Sequence, residues 1–209
     1  MHTSPGSLLT ALAAAAIISA AAAGPAAADT AAPGAREIVH ETPTVPLVID
    51  GVGYAPEQIH RFDGRPLYMR PARDGKKLIA TTKLSRFKAF LRTRGERLPG
   101  ATDLHTAKAK ASLAGHSMSF MERDPYVGDC WGSVDSGYGI ANFGVLQAQI
   151  GCQFANTIDY VSPHGQNGVL FDWSDFRYSG GIMYVYANTG YELSRYGWAN
   201  KVESLFQYW

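Results

Sequence analysis

The chain has 209 residues, 46% hydrophobic, 11% aromatic and 18% charged, with a formal net charge of +1. That balance excludes a wholly disordered chain, which needs few aromatics and a high net charge. The longest apolar run, Leu8–Ala23, is 16 residues of mostly Ala, shorter than the about 20 of a comfortable membrane span.

In chain order, residues 1–28 read as a signal peptide. Met1–Ser7 is polar, the apolar run follows, Gly24-Pro25 breaks any helix, and Ala26-Ala27-Ala28 is a small-residue pattern that a signal peptidase accepts. The start lacks the customary Lys or Arg. The expectation is a secreted, extracellular protein whose mature part starts at Asp29. Residues 29–44 are rich in Ala, Pro, Gly and Thr without a hydrophobic period, and a disordered tail is expected there.

A small α+β module is predicted over 45–97. Leu47-Val48-Ile49 reads as a strand, Asp50-Gly51 as a hairpin turn and Val52-Gly53-Tyr54 as the return strand. Turns at Asp63-Gly64 and Asp74-Gly75 precede the apolar segments Pro66–Met69 and Lys77–Ala80. The period then changes. Leu84, Phe87, Phe90 and Leu91 share one helix face over about Leu84–Thr93, stopped by Gly95. Arg86, Lys88, Arg92 and Arg94 fall on the other faces, as a solvated surface or as an anchor for anionic wall polymer or membrane. Aromatics do not interleave with them as on a nucleic-acid platform, so nucleic acid is not an expected partner.

Charge divides the chain. Asp29–Ala111 holds 15 Lys and Arg against 9 Asp and Glu, net +6, whereas Ser112–Trp209 holds 4 against 9, net −5. All four Trp and nine of the eleven Tyr lie after residue 112. These shifts place a linker at 98–111 and a second domain at 112–209.

The second domain contains a repeat. Phe154-Ala155-Asn156-Thr157-Ile158-Asp159 reappears as Trp198-Ala199-Asn200-Lys201-Val202-Glu203: aromatic, Ala, Asn, any residue, β-branched, acidic. Upstream, Met121–Gly128 parallels Phe171–Phe176. Glycine-punctuated turns and β-rich stretches such as Gly181–Tyr186 separate these elements, with Leu205–Trp209 as a last strand. Two repeats of about four short strands predict an antiparallel Greek-key sandwich. Cys130 and Cys152 are the two cysteines. In an oxidising compartment they are expected to form a disulfide, closing a loop of about 23 residues worth roughly 3 kcal/mol; free thiols and a metal pair are the alternatives.

At these residues the sequence resembles the βγ-crystallin superfamily. Met121 stands where the signature has its first aromatic, and Tyr126 and Gly128 match the second aromatic and the glycine. In the second repeat Phe171 and Phe176 match, while Tyr178 takes the glycine position and Gly180 follows two residues later. The stretch Gly190–Ser204 is similar to the end of secreted bacterial metallopeptidase inhibitors of βγ-crystallin type. The resemblance implies calcium as a cofactor, through Asn156 and Asp159 in one repeat and Asn200 and Glu203 in the other. Ala at the first position of both motifs and the nearby Lys201 weaken both sites. The preferred reading is that the two Asn hold turns and that calcium binding is weak at best.

No metal-binding His pattern, nucleophile elbow or phosphate loop is present, and no enzyme is expected. Asp172 and Asp175 read as turn residues rather than as a glycosidase pair. Trp131, Trp173 and Trp209 could stack on sugars but default to core packing. The combined expectation is a mainly β, secreted, monomeric, non-enzymatic binding protein, an inhibitor of an extracellular peptidase. Its contact surface would be residues 145–150, which have no counterpart in the second repeat. The alternatives are a calcium-stabilised cell-envelope or spore-surface structural protein held on cell-wall polymer by its basic module, and a secreted antimicrobial toxin.

Overall fold

Short strands and tight turns build the molecule. The computed structural model describes residues 37–107, 117–124, 128–135, 139–143, 154 and 156–208. The expected signal peptide, residues 1–28, lies outside them. β1 (Leu47–Ile49) and β2 (Val52–Tyr54) pair antiparallel across Asp50 and Gly51, whose φ angles of 51° and 88° are those the Asp-Gly signal predicts. A 3-10 turn at Pro56–Phe62 buries Ile59. β3 (Tyr68–Pro71) and β4 (Leu78–Thr81) pair antiparallel, and β1 lies parallel to β4. α1 (Leu84–Arg92) buries Phe87 and Leu91. It ends where Gly95 takes φ 71° and the Glu96 amide donates to the Leu91 carbonyl at 3.0 Å. α2 (Ala101–Ala107) follows.

The remaining strands form two sets of four: β5 (Ser117–Asp124), β6 (Gly128–Asp135), β7 (Gly139–Ile140) and β8 (Tyr160–Pro163), then β9 (Gly168–Phe171), β10 (Ile182–Val185), β11 (Tyr191–Glu192) and β12 (Ser204–Gln207). Each set sends its third strand into the other's sheet. The sheets run β11-β8-β5-β6 and β2-β1-β4-β3-β10-β9-β12-β7. Fourth strand beside first, first beside second, and third exchanged is a Greek key made twice. The fold is therefore mainly β, a two-sheet Greek-key sandwich.

The eight-stranded sheet is continuous in side-chain register. Ile49, Ala80, Met69, Met183, Leu170, Leu205 and Ile140 are successive cross-strand partners along one row. These residues face the four-stranded sheet, where Met118, Phe120, Val134 and Val161 complete the core. The alternate positions Tyr68, Ile182, Tyr184, Val169, Phe171 and Phe206 face outward and are covered by Phe87, Leu91, Leu98 and Leu104 from the α1–α2 region. Burial on both faces explains why β9, β10 and β12 read as near-continuous apolar runs.

The structure changes the expected domain plan in three places. The segments 45–97 and 112–209 are not separate bodies, because β3 and β10 pair in parallel (Tyr68 with Ile182, Met69 with Met183) and Glu37–Trp209 is one compact unit. The linker 98–111 includes α2 and buries Leu98 and Leu104, with its residues 108–111 outside the described set. The end of the expected tail is held. The Gly64 amide donates to the Ile38 carbonyl at 2.7 Å, the His40 amide to Asp63 at 2.8 Å and the Thr44 amide to the Arg195 carbonyl at 3.0 Å, while Lys201 Nζ donates to the Val39 carbonyl. Low hydrophobicity over 29–44 did not reveal these partners, because all are backbone or polar groups distant in sequence. No helix among the described residues is long and apolar enough to cross a membrane.

Gly181 sits at the β3–β10 joint with φ +103°, and a Cβ there would lie 2.8 Å from the Leu67 carbonyl oxygen. Gly181→Ala is therefore expected to destabilise the protein by about 3 kcal/mol, seen as a fall in Tm of roughly 6–12 °C. An unchanged Tm would mean the joint is not structural. His40 gives a pH signature. It is 4% exposed, its Nε2 donates to the Arg65 carbonyl at 2.9 Å, and burial, with a smaller contribution from Lys201, lowers its pKa below 6.5. The folded state thus favours neutral imidazole, so this stability is complete above the unfolded value and is lost as pH falls below it. Burial raises the Glu41 carboxyl above its ordinary value, a shift that acts with the opposite sign. Denaturant melts from about pH 7.5 to about pH 5.5 should show declining stability, and His40→Gln should flatten the decline.

Candidate functional site

The two matching hexapeptides fold into matching corners. Phe154 and Trp198 are buried, as are Ile158 and Val202. Between them Asn156 and Asn200 take left-handed φ of 57° and 58°. Asn tolerates that region better than other non-glycine residues because its short amide bonds locally. The amide of the acidic residue that follows each β-branched position anchors the turn to its own repeat: Asp159 N–H donates to the Met121 carbonyl at 2.9 Å and Glu203 N–H to the Phe171 carbonyl at 3.0 Å. The carbonyls of the same two residues accept from the other repeat, Asp159 from Leu193 N–H at 2.8 Å and Glu203 from Phe143 N–H at 3.1 Å. Met121 and Phe171 are thus equivalent positions, as their place at the head of each upstream element suggests.

The corners also touch directly. Asn156 N–H donates to the Val202 carbonyl at 3.2 Å, and its Nδ2 donates to Glu203 Oε1 at 3.1 Å. Glu203 Oε2 accepts from Ser174 N–H at 3.1 Å. Next along, Ser204 Oγ donates to the Trp173 carbonyl at 2.7 Å and accepts from Phe176 N–H at 3.2 Å. Of the four residues expected as calcium ligands, the structure brings Asn156 and Glu203 together as a bonded pair. Asp159 is held through its backbone, and Asn200 sits exposed at its corner. Among the described residues no group of three or more His, Cys, Asp or Glu converges as a metal cluster would require.

The other candidates separate. Asp172 is buried against Lys201, Oδ2 to Nζ 3.9 Å, whereas Asp175 lies 3.9 Å from Arg177. Lys201, expected to repel a cation at the corner, is instead turned to Asp172 and the Val39 carbonyl. Trp173 is half-buried, and Gly180 leaves room for it: a Cβ at Gly180 would be 2.5 Å from the indole Cδ1. This contact accounts for the displaced glycine of the second repeat. Tyr126, Cys152 and Trp209 lie outside the described residues, as do the side chains of Cys130 and Trp131.

The repeats differ at one point. Ten residues (144–153) join Phe143 to Phe154, where four (194–197) join Leu193 to Trp198. This is why the hexapeptides are 44 positions apart but Met121 and Phe171 are 50. Phe143 and Phe154 are both fully buried and meet Phe120 edge-on at 5.1 and 4.9 Å.

No protein-family model matches the sequence, and no curated protein does. Two solved structures are similar to part of the chain. One, from work on the evolution of the eye lens beta-gamma-crystallin domain fold, is 12% identical with a TM-score of 0.35, covering 47% of this chain and 91% of its own. The other, a beta gamma crystallin from Ciona intestinalis, is 14% identical with a TM-score of 0.34, covering 44% and 98%. The Greek key itself rests on the strand order and registers above.

Asn156 and Asn200 share a conformation, but Asn156 also bonds a carboxylate. Asn156→Ala should cost about 2–3 kcal/mol, from left-handed strain plus a lost charge-assisted bond, and Asn200→Ala about 1 kcal/mol from strain alone. Urea unfolding of both variants checks this; equal losses would show that the Asn156–Glu203 bond contributes nothing.

Proposed function

We propose that the chain is an exported, non-enzymatic binding protein whose contact surface is the insert at 144–153, with an extracellular peptidase as the partner class. The observation that supports it is the mismatch between two otherwise matched repeats. The insert leaves from Phe143 and returns at Phe154, and both aromatics are locked into the core. A segment tethered at both ends loses less conformational freedom on docking, which favours affinity. Cys152 lies in the insert and Cys130 on β6. A disulfide between them, in an oxidising compartment, would tether the insert a third time. The leader-like residues 1–28 support export, and the resemblance of Gly190–Ser204 to secreted inhibitors supports a peptidase partner.

In this reading calcium is not required. Both carboxylate oxygens of Glu203 already accept hydrogen bonds inside the protein, so the acidic replacement serves as an internal brace. Catalysis has little to work with, since Asp172 and Asp175 each face a different cation.

The test is inhibition of a panel of secreted metallopeptidases by the exported chain and by a variant with 145–150 replaced by Gly and Ser. The parent should inhibit at least one enzyme, and the variant should lose at least tenfold in potency with Tm preserved. Inhibition by neither would remove the peptidase partner. Equal inhibition by both would remove the insert as the contact surface.

A further inference from the structure

We propose that the basic recess between α1 and the start of α2 is a binding site for phosphate groups on a linear, phosphate-bearing polymer outside the cell. This inference is independent of the insert and of any peptidase partner.

Lys88 and Arg92 stand one helical turn apart on α1 and project from the same face. Arg97 joins them from the segment beyond the Gly95 stop. Together with Leu98, Pro99 and Gly100 they line a recess of about 160 Å³. No carboxylate lines it, and the nearby ones are engaged elsewhere. Glu96 faces Arg73 at 3.3 Å and Arg70 at 3.9 Å, Asp103 accepts from Gly100 N–H at 2.8 Å, and Asp50 pairs with Arg86 at 3.3 Å. Among the described residues, therefore, Lys88, Arg92 and Arg97 make no ion pair, although they share one small volume. Mutual repulsion of three cations is unfavourable, and an anion seated among them would relieve it.

The recess is also held in shape. Tyr208 Oη donates to the Arg97 carbonyl and Tyr178 Oη to the Pro99 carbonyl at 2.9 Å. Both tyrosines are half-buried against the sandwich, and their bonds tie the wall bearing Arg97 to it. Arg presents a planar fork of donors that matches phosphate oxygens, and three cations around one group suit a tetrahedral oxyanion better than a single carboxylate.

A polymer rather than a lone ion is inferred from what adjoins the recess. On one side a cleft of about 480 Å³ shares Lys88, Pro99 and Gly100 and continues over Leu104, Phe176 and Tyr178. Asp175, 3.9 Å from Arg177, also lines this cleft, and the aromatic and apolar remainder fits the sugar or polyol between successive phosphates. Just past the end of α1, Arg94 lies over the Phe90 ring at 4.9 Å and adds a further cation.

The test uses long-chain inorganic polyphosphate as the probe, with poly-glutamate and anionic phospholipid vesicles as comparisons, and the full exported chain as the protein. Polyphosphate should bind with an affinity that falls steeply with salt. Lys88→Gln/Arg92→Gln/Arg97→Gln should weaken it at least tenfold and flatten the log–log salt slope by about 2, at ~0.7 per lost contact. Arg86→Gln, whose partner is Asp50, should change affinity less than twofold. Should the triple variant melt lower than the parent, Arg92→Gln/Arg97→Gln, both at exposed positions, is read instead. Unchanged affinity in the variant would overturn the site. Poly-glutamate binding as tightly as polyphosphate would overturn the phosphate class, and tighter vesicle binding would replace the polymer with a membrane.

Discussion

Neither Greek-key repeat can finish its own sheet, and this mutual dependence organises the molecule. β7 leaves the first repeat to pair with β12, and β11 leaves the second to pair with β8. Both exchanged strands are two residues long, too short to be stable except as the edge of a preformed neighbour. The crossed backbone bonds at Asp159 and Glu203 reinforce the same dependence, because each of these residues is an amide donor in its own repeat and a carbonyl acceptor for the other. Folding one repeat without the other would leave these groups and the inter-sheet aromatic core in water.

The amino-terminal segment depends on that frame. The outer edge of β10 is a row of unpaired backbone groups until β3 covers it, and β3 in turn carries β4, β1 and β2. In the first repeat the equivalent strand, β6, ends its sheet. The extension doubles one sheet and places α1 and α2 over its outer face, which would otherwise expose Tyr184, Val169 and Phe206. An exposed sheet edge is a liability that proteins cover or charge, and here covering it also fixes the basic surface of α1 against the sandwich.

Two features that look like sites in isolation are consumed by this architecture. The Asn-and-acid corners were expected to hold an ion, yet Asn156 and Glu203 bond to each other and to Ser174. Lys201 and Asp172 likewise form a buried pair, and Lys201 also donates to the Val39 carbonyl. The groups proposed to meet a partner lie elsewhere: the insert that breaks the repeat, and Lys88, Arg92 and Arg97, which make no ion pair among the described residues.

Local signals determined the elements. Asp50-Gly51 set the first hairpin, the spacing of Leu84, Phe87 and Leu91 set α1, Gly95 ended it, and the duplicated hexapeptide announced a two-repeat β domain. These are short-range patterns, and the physics that produces them acts within a few residues. What the sequence could not show was any pairing between distant strands whose registers are set by burial alone. The charge change near residue 111 suggested two bodies, but the parallel joint of β3 with β10 rests on Met69, Met183 and Gly181, residues with no local signature of contact. The anchoring of His40, the burial of Leu104 and the union of Lys88, Arg92 and Arg97 around one recess were decided by the tertiary structure, because each depends on which surfaces the closed sandwich brings within reach.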